Sequence, residues 1–100
     1  MTDFARILRE EARLIILRAL AEQPNERLSS SILVEVLATY GIAKERGWVH
    51  DELAWLADRD GVRLTEAGTV KIAELTERGK RHVDRHSIIE GVKRPSRPGA

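Results

Sequence analysis

The sequence predicts a mainly α domain carrying one small β-hairpin, and three observations make that prediction. Apolar residues recur at helical spacing along most of the 100-residue chain, and the period switches to alternation once, between Val62 and Leu75. Gly or Pro punctuates most boundaries between these stretches. A chain of this length fills one hydrophobic core, since a core typically serves roughly 100 to 150 residues. Hydrophobic residues make up 42% and charged residues 33%, and the longest apolar run, Leu14 to Leu17, falls far short of the ~20 residues a membrane span needs. A soluble globular protein with no membrane contact is expected. Cysteine is absent, which excludes disulfides, thiolate nucleophiles and cysteine-based zinc sites, and the acidic start is no secretory signal. A cytoplasmic location is the expectation that follows.

From Asp3 to Gln23 neither Gly nor Pro interrupts, and Phe4, Ile7, Leu8, Ile15 and Leu20 fall near helical spacing, so a first helix ends at Pro24-Asn25. Its first half is amphipathic, with Arg6, Arg9, Glu10 and Arg13 outward. Its second half is apolar nearly all round and belongs in the core. Phe4, Ile7 and Leu8 extend beyond that core and need a cover, either the C-terminal segment or a second subunit, of which a dimer is preferred. Ser29, Ser30 and Ser31 offer caps to a second helix bearing Leu33, Val36, Leu37 and Tyr40, which Gly41 stops, with Ile42 placed for a terminating contact. A third helix begins around Gly47, places Val49, Leu53 and Leu56 on one face, and ends at Gly61. The hairpin runs through Val62-Arg63-Leu64-Thr65, a tip at Glu66-Ala67-Gly68-Thr69, and Val70 to Leu75, where a slip in the alternation predicts a bulge or an early end. Thr76 caps a fourth helix on which Gly79 permits close approach. Residues 1–90 thus form the domain, and residues 91–100 a basic Pro/Gly tail that is flexible when alone.

Helix, helix, tight turn, helix, two-stranded hairpin, helix is the order of a winged helix-turn-helix domain. Leu53-Ala54-Trp55-Leu56 followed by Gly61-Val62 resembles the end of its recognition helix, and Leu75-Thr76-Glu77-Arg78-Gly79 resembles the strand-to-helix junction of winged-helix regulators. The whole chain, above all Glu11-Ala12-Arg13-Leu14, these two stretches and Gly91-Val92-Lys93-Arg94-Pro95-Ser96, is similar to a small winged-helix (ArsR-like) family of Mu-like transposable phages and prophages. That resemblance implies a phage protein acting in the bacterial host cell, encoded between the lysis and DNA-packaging genes. It leaves activity open; the winged-helix order itself carries the expected function, double-stranded DNA binding as a transcriptional regulator or a DNA-transaction accessory factor.

The charge pattern supports this only in part. Residues 1–76 carry ten Lys/Arg against thirteen Asp/Glu, net −3, whereas residues 77–100 carry seven against three, net +4. The outward positions of the third helix would be Lys44, Arg46, Trp48, His50, Asp51 and Glu52, of which Arg46, Trp48 and His50 would approach bases. Yet three basic residues face five acidic ones between Gly41 and Asp60, a net −2 that phosphates would repel. One carboxylate can read cytosine N4, but two adjacent ones need compensation elsewhere. Arg63 and Lys71 on the hairpin strands, with Lys80, Arg81 and Arg85 on the fourth helix and Lys93, Arg94 and Arg97 in the tail, supply candidate phosphate contacts. Equally, the fourth-helix residues can be a solvated face, and the tail a peptide that docks on another protein. The rival class is therefore a non-catalytic interaction module for another phage protein, using the acidic third helix and Trp48, with Trp55 packed in the core.

No catalytic constellation emerges, and no cofactor or metal is expected. His82 and His86 stand four apart on the fourth helix, a spacing that can clamp a metal, but Asp84 projects away from both and no further ligand is evident. His50-Asp51-Glu52 are consecutive and do not converge. Ser29 to Ser31 lack the Gly-x-Ser-x-Gly setting of an exposed nucleophile, and no Gly-rich phosphate loop follows a strand.

Overall fold

A computed structural model describes residues 3–96. The elements follow in the order α1 (Asp3–Ala21), β1 (Arg27–Ser29), α2 (Ser30–Thr39), α3 (Arg46–Asp58), β2 (Val62–Ala67), β3 (Val70–Leu75) and α4 (Glu77–Val83). The described residues thus form four helices and a three-stranded antiparallel sheet of order β1-β3-β2, one strand more than the expected hairpin. β1 is hidden in the sequence because three residues are too few to display a period of two, and they run straight into the serine cap of α2.

The core is built where α1 is apolar on every side. Leu14, Ile16, Leu17 and Leu20 are buried against Leu33 and Leu37 of α2, Val49, Leu53 and Leu56 of α3, and Ala73 and Leu75 of β3. β2 and β3 pair without interruption from Val62↔Leu75 to Ala67↔Val70, so the expected bulge is absent from these two strands. The slip arises because Ala73 and Leu75 mark the buried face, while Val70 and Ile72 lie on the other. The loop is the two residues Gly68-Thr69, with Gly68 at φ +66, as a type II′ hairpin turn requires.

Helix ends follow local chemistry closely. Ser29 caps α2 by accepting from the Ile32 N–H, and Thr76 caps α4 by accepting from the Gly79 N–H. α2 ends in a Schellman turn in which left-handed Gly41 donates to the Ala38 carbonyl and Ile42, buried, donates to that of Leu37. α3 ends the same way, but the left-handed residue is Asp60 at φ +62 rather than Gly61. Gly61 matters for packing instead, because its carbonyl lies so near Gly79 that a Cβ on Gly79 would run into it. That contact seats α4 on the α3–β2 corner.

Two further expectations give way. α4 stops at Val83, so Arg85 follows the helix in a left-handed conformation (φ +65) instead of riding on it, and His86 is outside it too. Residues 91–96, expected to leave the domain as tail, return across α1: Val92 and Pro95 are buried, and the Lys93 N–H donates to the Glu10 carbonyl at 3.1 Å. Buried His82 organises that return. Its Nδ1 accepts from the Ile89 N–H at 3.0 Å and its Nε2–H donates to the Lys93 carbonyl at 2.9 Å, so both ring nitrogens are engaged within the fold. No helix among the described residues is long and apolar enough to cross a membrane.

Candidate nucleic-acid interface

α3 is held by its buried face, Val49, Glu52, Leu53 and Leu56, and turns Arg46, Gly47, Asp51, Ala54 and Asp58 outward. Two positions decide the electrostatics. Glu52, expected beside Asp51 on the exposed face, is only 4% exposed and points into the molecule. There its carboxylate accepts from Arg13 Nε at 2.7 Å and lies 3.6 Å from Arg9 Nε. Arg13, expected outward on α1, is therefore the buried partner of a buried acid; taking either charge out of water alone would cost several kcal/mol. The Arg13 guanidinium also donates to the Gly91 carbonyl at 2.9 Å and stacks 3.7 Å from the Trp55 ring centroid. Arg59 covers the other side of that ring at 3.8 Å. Trp55 is thus half-buried between two guanidinium planes rather than within the apolar core, and Gly91 (φ +95) meets its edge where a Cβ would come within 2.5 Å.

With Glu52 withdrawn, Asp51 is left as the carboxylate on the solvent side of the first two turns of α3. The N-terminal end of α3 abuts the hairpin. Arg46 reaches the Thr69 hydroxyl at the hairpin tip at 3.4 Å, and Lys44 lies over the Trp48 ring, 5.4 Å from its centroid. Between helix and hairpin sits a chain of hydrogen bonds: the Lys71 N–H donates to Ser30 Oγ at 3.0 Å, and Ser30 Oγ is 2.8 Å from His50 Nε2. The hydroxyl has a second lone pair and its own proton, so it can serve either tautomer of the imidazole. Burial first, then the charges of Lys71 and Arg46, hold the His50 pKa below its ordinary value, so the ring is neutral at pH 7.

The structure therefore brings Arg46, His50 and Lys71 together where α3 meets the hairpin, pairs Lys44 with Trp48, and leaves the other candidates apart. Arg63 and Lys71 occupy opposite faces of the sheet: Arg63 pairs with Glu74 at 3.4 Å on the outer face, whereas Lys71 pairs with Glu66 at 2.5 Å on the face towards α3. Lys80 stands 3.9 Å from Glu26, and Lys93 is bound to Glu11 at 2.8 Å. Arg81, Arg85 and Arg94 are exposed. Arg97 lies outside the described residues. Phe4 and Ile7, the expected dimer contacts, are 73% and 57% exposed, while Leu8 is partly buried against the core. The returning C-terminal segment covers Glu10 and Glu11 but not Phe4. Sequence reasoning misses Ser30 as the hinge of the His50 network, taking it for a cap; three consecutive serines carry no mark of which one turns inward.

No family model and no solved structure matches the chain. It is 37% identical over 94 residues to the "Uncharacterized protein gp26" of Escherichia phage Mu, an alignment covering 94% of this chain and 96% of that protein. End-to-end similarity at that level makes this chain a member of the phage Mu gp26 family.

Proposed function

We propose that this chain is a winged helix-turn-helix protein that binds double-stranded DNA, serving a Mu-like phage as a regulator or DNA-transaction accessory factor. The observation that carries the reading is the pairing of Glu52 with Arg13 and Arg9, which removes the second acid from the face that would meet phosphates. What remains there suits a groove: Gly47 and Ala54 are small and allow close approach, Asp51 can accept from cytosine N4, and Arg46 and Lys71 stand beside the hairpin as phosphate contacts, with Lys44 as a third. In this reading α3 enters the major groove and the β2–β3 hairpin is the wing. The exposed Phe4 and Ile7 favour a homodimer through the first turns of α1, the arrangement by which two recognition helices meet successive half-sites.

A second reading rests on the far end of the same stripe, where Asp51, Ala54 and Asp58 offer an acidic, shallow strip to a basic partner protein. Fluorescence anisotropy with a mixed-sequence duplex separates the two. DNA binding weakens steeply between about 50 and 200 mM salt, with a slope near −0.9 for each phosphate contact. Absence of any binding at low salt and micromolar protein would dismiss the DNA reading in favour of the second.

A further inference from the structure

The loop after α4 and the returning C-terminal segment enclose an open cavity of about 130 Å³, lined by His82, Arg85, Ser87, Ile88, Arg94 and Pro95. Its chemistry is one-sided. Two arginines and a serine line it, and among the described residues no acidic residue does. Nor does Arg85 or Arg94 form an ion pair among the described residues, whereas Arg63, Lys71, Lys80 and Lys93 each pair with a carboxylate within the fold. The acids nearest in sequence, Asp84 and Glu90, do not contribute to the lining, and Glu90 is exposed.

The backbone is shaped to produce this arrangement. After α4 the chain turns through left-handed Arg85, and the N–H groups of His86 and Ser87 both donate to the Arg81 carbonyl, at 2.8 and 3.2 Å. That tight turn fixes Arg85 and Ser87 on one rim. Arg94 is fixed on the other by its neighbours: Lys93 is bound through its carbonyl to His82 and through its side chain to Glu11, and Pro95 is buried. His82 forms part of the lining but offers no free ring nitrogen, so the polar side chains left to a ligand are those of Arg85, Arg94 and Ser87. Ile88 and Pro95 supply apolar wall, which strengthens a charged hydrogen bond made beside it.

We infer that this cavity is an oxyanion site for a phosphoryl group, gripped by Arg85 and Arg94 with Ser87 as a neutral donor. Planar guanidinium forks match the oxygens of a phosphate in pairs, and the cavity has room for a phosphoryl group. The site is separate from the α3 face and does not rest on the DNA reading.

Amide and arginine side-chain NMR resonances of the whole protein, followed during titration with inorganic phosphate against sodium chloride at matched ionic strength, test the inference. Saturable shifts at Arg85, Ser87 and Arg94 are expected, with affinity falling about tenfold in Arg85→Gln and in Arg94→Gln, the loss of one charge-assisted hydrogen-bonded contact. Lys80→Gln, which removes an α4 charge outside the cavity, should leave the affinity unchanged. A short duplex added to the phosphate-bound protein identifies the source: displacement assigns the site to a backbone phosphodiester, and retention assigns it to a free phosphate or phosphomonoester. Chloride reproducing the shifts, no saturation at millimolar phosphate, or equal losses in Lys80→Gln and the two arginine variants would overturn the inference.

Discussion

Two charged clusters meet α3 at its opposite ends, and they differ in what their charges are left to do. Near its C-terminal half, Arg13, Glu52, Trp55 and the Gly91 carbonyl form a closed set in which each polar group has a partner inside the chain. Near its N-terminal end, the side chains of Arg46, His50 and Lys71 are held by single contacts to Thr69, Ser30 and Glu66, with Arg46 exposed and the other two partly so. The first cluster joins α1, α3 and the C-terminal segment. The second holds α3 against the hairpin and still offers charge outward. Charge that is consumed within the fold reports on stability, and charge that remains at a rim reports on what the molecule touches.

The largest effect should come from breaking the closed set. Glu52→Ala leaves Arg13 buried without its carboxylate, and chemical denaturation should show a loss of about 3 to 5 kcal/mol; a change within experimental error would mean that the pair is solvated. Gly79→Ala comes next. Its Cβ meets the Gly61 carbonyl and Leu75, so overpacking should lower stability by about 1 to 3 kcal/mol, with α4 amides exchanging faster. At the open cluster the pattern reverses: Arg46→Ala and Lys71→Ala should leave the unfolding midpoint almost unmoved, while each reduces the salt slope of duplex binding by about one. If either proved as destabilising as Glu52→Ala, the contrast between the clusters would disappear.

The smallest effect is the response to pH. The folded pKa of His50 lies below its unfolded value, so between the two the unfolded chain binds more protons. Its contribution to stability is full above the ordinary value of about 6.5, falls as pH drops through that value, and levels off below the folded pKa. His50→Gln should flatten that part of the stability profile. A wild-type curve already flat there would remove the proposed coupling to Lys71 and Arg46.

The helices are legible in the sequence because each carries an apolar stripe and a terminating residue: Leu33 and Leu37 before Gly41, Val49, Leu53 and Leu56 before Asp60 and Gly61. β1 is not legible, because its partner is Ile72 to Glu74, more than forty residues away, and local pattern says nothing about such pairing. Of the candidate site, Arg46, His50 and Lys71 can be picked out by residue type and do meet at one edge, whereas Glu52 reads as exposed and is buried. Its position, three after Val49 and one before Leu53, places it on the buried side by periodicity alone, but a charged residue there is credible only once Arg13 is known to face it. The C-terminal segment misleads for a related reason. Its Gly, Pro and basic composition matches a loose tail, while the contacts that hold it, His82 to Lys93 and Arg13 to Gly91, join residues far apart in sequence or hidden by burial.

Backbone amide shifts recorded while a duplex is added at low salt test the central claim most directly, since they locate the contact rather than merely detect one. The account predicts that perturbations concentrate at residues 44–51 of the α3 entrance and 66–71 of the hairpin, and that the amides around Arg13, Trp55 and Gly91 stay in place. Perturbations confined to other surfaces, or none while the protein remains folded, would contradict it.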